Sequence, residues 1–212
     1  MQNPSSLPEV PKVGFLVGDD LDKLLVETLG RKVVEQSGGL PQPRFSTIRV
    51  YGSPQVRYIY PEIATLVERG CRRVIVVFDT ETIEGEPATL LRELQKGLVE
   101  WGLLERVDLM PVTPSTAGWI LADREAVEQV AGAPLLEECL PRGAGPREEL
   151  EAWLGGEKHH LQEKLGEVVT RLSPERIRAR NTDGSFARFE ECLLAAIRLQ
   201  VERGLAEGPS VS

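Results

Sequence analysis

Apolar positions along this chain follow two rhythms that alternate. Short unbroken runs, residues 12–17 (Lys-Val-Gly-Phe-Leu-Val) and Val74-Ile75-Val76-Val77-Phe78, have the length and β-branched content of strands buried on both faces. Between them, apolar residues recur at helical spacing from Leu21 to Gln36, and Gly38-Gly39 marks the end of that helix. A β-rich stretch from Phe45 to Tyr51 follows. Pro61 then reads as a helix start leading through Ile63, Leu66 and Val67 to Gly70. Pro87 opens a further helix to Trp101 with Leu90, Leu91, Leu94 and Leu98 on it, and Arg106 to Val112 reads as another strand. Strand and helix in alternation predict an α/β fold: a mainly parallel, doubly wound sheet flanked by helices.

After residue 113 the rhythm becomes purely helical. Thr113-Pro114-Ser115-Thr116 offers cap residues for one helix containing Trp119, Ile120, Leu121, Ala126, Val127 and Val130. A Gly/Pro-rich section, Ala131 to Pro146, reads as irregular, and helices are expected at 147–154, 158–171, after Ser173-Pro174, and from Ser185. In the last of these Phe186, Phe189, Leu193, Ala196 and Ile197 share a face. The expected organisation is a flexible leader at 1–11, an α/β core at 12–130, a C-terminal helical extension packed on the core at 131–203, and a flexible tail at 204–212.

Composition narrows the class. The chain has 212 residues, 41% hydrophobic and 27% charged, which suits a globular domain. Its apolar runs fall short of the ~18 residues of a membrane span, and Met1-Gln2-Asn3-Pro4 lacks signal-peptide character, so the expected location is cytoplasmic, with no membrane partner. Cys71, Cys139 and Cys192 are too scattered for a disulfide framework or a zinc site and read as structural thiols. A net charge of −8 excludes a surface basic all round, but Arg171 to Arg188 is locally basic, as is the segment holding Arg44, Arg49 and Arg57. Such stretches are ordinarily solvated faces.

The chemistry lies in two acidic loops. Gly18-Asp19-Asp20-Leu21-Asp22 follows the first strand, and Asp79-Thr80-Glu81 follows the strand ending at Phe78. Open α/β sheets bind ligands at this rim, and paired carboxylates there suit a hard cation such as Mg²⁺ or Mn²⁺ beside a phosphodiester. The competing reading is that these acids stabilise helix N-termini. Other chemistries lack a framework. His159-His160 sit together in a charged helical stretch, GxGxxG and GxxxxGK[ST] are both missing, and Trp119 and Trp153 lie on apolar helical faces.

The block Val13 to Asp22, the block Val74 to Glu81, the block Ala117-Gly-Trp-Ile-Leu-Ala-Asp123 and the C-terminal Ser173 to Arg180 with Ser185 to Phe189 together resemble a bacterial family catalogued as domain of unknown function 4276. That family is similar to the Toprim fold of topoisomerases, primases and OLD-type nucleases. The resemblance implies a Toprim-like sheet with Mg²⁺-dependent phosphodiester chemistry, an ATPase partner, and a place in phage defence or DNA repair. It also implies a glutamate after the first strand, an acidic pair after the later strand, and a glutamate before the Trp-containing helix. Here those positions hold Gly18, then Asp79 with Glu81, then Ala117. Asp79 and Glu81 are thus the candidate catalytic and metal-binding residues, Asp19 or Asp20 the candidate substitute for the first glutamate, and Arg178, Arg180 and Arg188 the candidate nucleic-acid contacts. Two readings follow: a metal-dependent nuclease, or a catalytically degenerate subunit that serves an ATPase.

Overall fold

The β-branched run becomes β3 (Arg73–Asp79), with residues Val74 to Phe78 all buried. In this computed structural model, which describes residues 10–50, 56–83, 85–134, 145–155 and 158–206, β3 lies inside a single four-stranded sheet. With β1 (Lys12–Val17), β2 (Arg44–Arg49) and β4 (Val107–Val112) the order is β2-β1-β3-β4, every pair parallel. The expected flexible leader and tail lie largely outside the described residues, as does most of the Gly/Pro-rich section and, with it, Cys139.

Each strand sends alternate residues into two separate cores. Val13, Phe15, Val17, Ile75, Val77, Met110 and Val112 join one, while Leu16, Val74, Val76, Phe78, Val107 and Leu109 join the other. The second core is closed by α2 (Val56–Glu68) and α3 (Pro87–Glu100). The first is closed by α1 (Asp20–Ser37) together with six helices from the C-terminal half: α4 (Ala117–Ala122), α5 (Arg124–Ala131), α6 (Pro146–Leu154), α7 (Lys158–Arg171), α8 (Pro174–Arg180) and α9 (Ser185–Ala206). The helix after β1 therefore covers one face and the helix after β3 the other. Where neighbouring strands diverge in this way, a crevice opens at their C-terminal ends.

Two elements depart from expectation. Helix α2 begins five residues before Pro61 and carries the proline inside it. Ile59, Tyr60, Ile63 and Leu66 are all buried against the sheet, and that packing outweighs the backbone hydrogen bond a proline forfeits. The helix expected from Thr113 to Val130 breaks at Asp123. That residue is fully buried and caps α5 through its Oδ1, which accepts from the Ala126 N–H. Its carboxylate also accepts from the Ser173 N–H (2.7 Å) and from Nε of Arg176 (2.6 Å), which ties the break to the start of α8.

Helix α9 crosses the first core with an aromatic cluster at its centre. Trp119 lies edge-on to Phe186 at 5.4 Å and tilted against Phe189 at 5.3 Å, and its Nε1 donates to Oγ of Ser185 (2.7 Å). Gln200 donates to the Lys12 carbonyl and accepts from the Lys12 N–H, so α9 is latched to the start of β1. At the β4 margin, Nη2 of Arg188 donates to the Leu109 carbonyl (3.3 Å), so that carbonyl faces away from β3. Pro111, two residues on, turns its N–H-less nitrogen to the same open side, the place where a strand tolerates proline.

Candidate functional site

The crevice between the ends of β1 and β3 is a cavity of about 250 Å³. Its walls are apolar side chains that include Leu16, Val50, Ile59, Val76 and Phe78, and its polar groups are Asp19, Asp22, Asp79, Thr82 and Arg147. The loop after β1 supplies two of the acids through a capping box. Asp19 Oδ1 accepts from the Asp22 N–H (2.9 Å), and Asp22 Oδ2 accepts from the Asp19 N–H (3.2 Å). Asp79 ends β3 and enters from the other wall.

One residue joins the two walls. The Thr116 hydroxyl donates to Asp22 Oδ1 (2.6 Å), and its backbone N–H donates to Asp79 Oδ1 (2.8 Å). Thr116 precedes α4, and the expected cap role goes unfilled because its hydroxyl serves the crevice. The loop carrying it is fixed from outside: Glu81 N–H donates to the Pro114 carbonyl, and Asp183 accepts from the Thr113 N–H. From α6, Nη2 of Arg147 reaches Oδ2 of Asp19 at 2.8 Å.

Burial and the neighbouring Asp22 charge push the Asp79 carboxyl up to about 7, against the pull of the Thr116 N–H. Asp22 is likewise raised, by burial first and by Asp19 second. At neutral pH the crevice thus holds a carboxyl that is part protonated, a second with raised proton affinity, and an Asp19–Arg147 ion pair.

The sequence candidates separate in space. Asp19 and Asp79 meet in the crevice. Asp20 is exposed on the outer side of α1 and ion-paired with Arg49. Glu81 is exposed on a 3-10 turn (Thr80–Thr82), with its carboxylate directed at Gly145, where α6 begins. Arg178 is held bidentate by Glu190 (2.8 and 2.5 Å) and Arg188 by the Leu109 carbonyl, while Arg180 stands exposed beside the 113–116 loop. His160 is exposed on α7, and the side chain of His159 lies outside the described residues.

Three contributors carried weaker signals. The Asp19-x-x-Asp22 spacing announces a helix cap rather than a site, Thr116 stood among cap candidates, and Arg147 is delivered by tertiary packing from a distant helix.

Both oxygens of Asp19 and both of Asp22 already accept bonds from protein donors. Among the described residues no group of three or more His, Cys, Asp or Glu side chains is arranged to hold a metal ion. This donor set does not fit a cation held by protein ligands alone.

No protein-family model, curated protein or solved structure matches this chain. Among the described residues no helix is long and apolar enough to cross a membrane.

Proposed function

We propose that this chain is a Toprim-like subunit of nucleic-acid-processing machinery whose acidic crevice binds a ligand without completing a metal-dependent cleavage centre. The observation that carries the reading is the 2.8 Å Asp19–Arg147 ion pair, which sets a permanent guanidinium among the acids. A fixed positive charge there lowers the attraction of the crevice for a second cation, and it occupies the residue offered as substitute for the missing first glutamate. Gly18 and Ala117, which offer no side-chain ligand atom at the two glutamate positions, support the same reading. The resemblance to the domain of unknown function 4276 family supplies the setting, an ATPase as the partner class and phage defence or DNA repair as the process.

Thermal melting tests this. Millimolar Mg²⁺ or Mn²⁺ is expected to leave the melting temperature of the wild type and of Asp79→Ala equally unmoved, because a ligand held only by the native state must stabilise it. A saturable rise in wild type that Asp79→Ala abolishes would overturn the proposal.

One observation favours a second reading, Mg²⁺- or Mn²⁺-dependent phosphodiester cleavage. Burial raises both the Asp22 and the Asp79 carboxyls, helped by the Asp19 charge at Asp22 and by the Asp22 charge at Asp79, and such perturbed groups cluster where catalysis occurs. Divalent-dependent cleavage of DNA or RNA by the chain with its ATPase partner, lost in Asp79→Ala, would establish that reading in place of the first.

A further inference from the structure

Around Asp79 the crevice has hydrogen-bonding capacity left over, and it is all of one kind. Asp22 already accepts at both oxygens, from the Thr116 hydroxyl and the Asp19 N–H, and Asp19 accepts from the Asp22 N–H and from Arg147. Asp79 differs. Its Oδ1 accepts from the Thr116 N–H, and among the described residues no donor reaches its Oδ2. Thr82 spends its hydroxyl proton on the Asp79 carbonyl (2.9 Å), so its oxygen is left as an acceptor too. The open positions here need donors from outside the chain.

The space they face is small and apolar. About 250 Å³ lies between walls that include Leu16, Val50, Ile59, Val76 and Phe78, and all of these except Val50 are core residues no more than 5% exposed. That falls below the ~300–1,000 Å³ of drug-sized ligand sites, which leaves room for one small ring system and not for a nucleotide with its phosphates. A phosphate or a hydrated ion pressed against such walls loses its water, and the three carboxyls of Asp19, Asp22 and Asp79 against the one guanidinium of Arg147 repel an anion. Arg147 already supplies a full positive charge, so the group that fits is a neutral N–H donor on a flat, largely apolar body. An exocyclic amino group on an aromatic heterocycle has that form, and carboxylates accept from the amino group of cytosine where proteins read bases. Uracil and thymine turn a carbonyl oxygen to the same position, where it meets another acceptor.

We propose that the crevice receives one amino-bearing nucleobase, adenine, cytosine or guanine, whose amino group donates to Asp79 Oδ2, either as a free nucleoside or as a base turned out of a strand. The proposal rests on the reading of the crevice as a ligand site without a metal centre. A base entering from a strand leaves its phosphates outside the apolar walls, at the rim where α/β sheets receive their ligands.

The test is calorimetric titration in EDTA with cytidine, adenosine, guanosine and uridine, and with a short thymine strand that does or does not carry one cytosine. The amino-bearing ligand is expected to bind at least about tenfold more tightly than its uridine or all-thymine counterpart, because the latter leaves Asp79 Oδ2 buried without a donor. Binding of free nucleosides assigns a nucleoside site, and binding of the cytosine strand alone assigns a base turned out of a strand. Two variants locate the effect. In Asp79→Asn the amide oxygen must still accept from the Thr116 N–H, which turns the NH₂ group into the crevice, so the preference is expected to move toward uridine or the all-thymine strand. Val50→Phe fills the space and is expected to abolish binding of every base, with its melting temperature matched to wild type. No binding of nucleoside or strand, uridine bound as tightly as the amino-bearing bases, or a preference that survives in either variant would overturn the proposal. EDTA keeps metal out of these titrations, so their failure leaves the melting test with Mg²⁺ standing, whereas a Mg²⁺-dependent rise in melting temperature overturns the metal-free reading with no nucleoside present.

Discussion

Asp79 shows how one side chain can carry a cost in the folded state. Its folded pKa of about 7 lies above the ordinary value of 3.8, so the native state binds this proton more tightly than the unfolded chain does. The stabilisation from that proton is fully present below about pH 4 and disappears as pH rises through about 7. Asp79→Asn removes the ionisation while its amide oxygen can still accept from the Thr116 N–H. Relative to wild type, the variant is therefore expected to gain stability between pH 4 and 8, reaching on the order of 3 kcal/mol. Urea denaturation at pH 5 and pH 8 checks this: an equal difference at both values would show that the carboxyl titrates normally. The sequence made Asp79 legible because it directly follows a buried run. It could not show that Asp22 rather than Asp20 shares the crevice, since acids two residues apart at a helix start differ only in which way they face, and Arg49 draws Asp20 outward.

Helix contacts depend as much on missing atoms as on present ones. On α3, Gly97 lies against α2 so closely that an added Cβ would stand 2.0 Å from the Tyr60 hydroxyl oxygen and 2.3 Å from the ring carbon bearing it. Tyr60 is buried and stacked on Trp101 at 5.8 Å, which limits its room to move. Gly97→Ala should therefore destabilise by about 1–3 kcal/mol, even though alanine favours helix by about 1 kcal/mol. Chemical denaturation measures this, and a neutral or stabilising result would mean that α2 and α3 part easily. At this scale the four strands and most helices could be read from periodicity, and the two exceptions share a cause. Pro61 inside α2 and the break at Asp123 are set by partners distant in sequence: the sheet beneath Ile59 and Tyr60, and the Ser173 and Arg176 donors that meet Asp123.

Across the molecule, one core joins the sheet to the C-terminal helices. Phe15 from β1 stacks on Phe189 from α9 at 6.0 Å, and Trp119 packs against both Phe186 and Phe189. Far-UV circular dichroism, which follows the backbone, and tryptophan fluorescence, to which buried Trp119 contributes, should therefore report one coincident unfolding transition. Separated midpoints would show that the helices after residue 113 fold as their own unit. That the central strands are buried on both faces was visible in their unbroken apolar runs. The sequence placed a C-terminal helical extension on the core without saying which face it covers, because amphipathic helices declare an apolar side without saying what it meets. Finally, the β4 margin bears on how such a protein can assemble. With a proline facing outward and an arginine occupying the neighbouring carbonyl, this border of the sheet is closed to strand addition, so a partner that builds a continuous β-structure with this chain must join at β2.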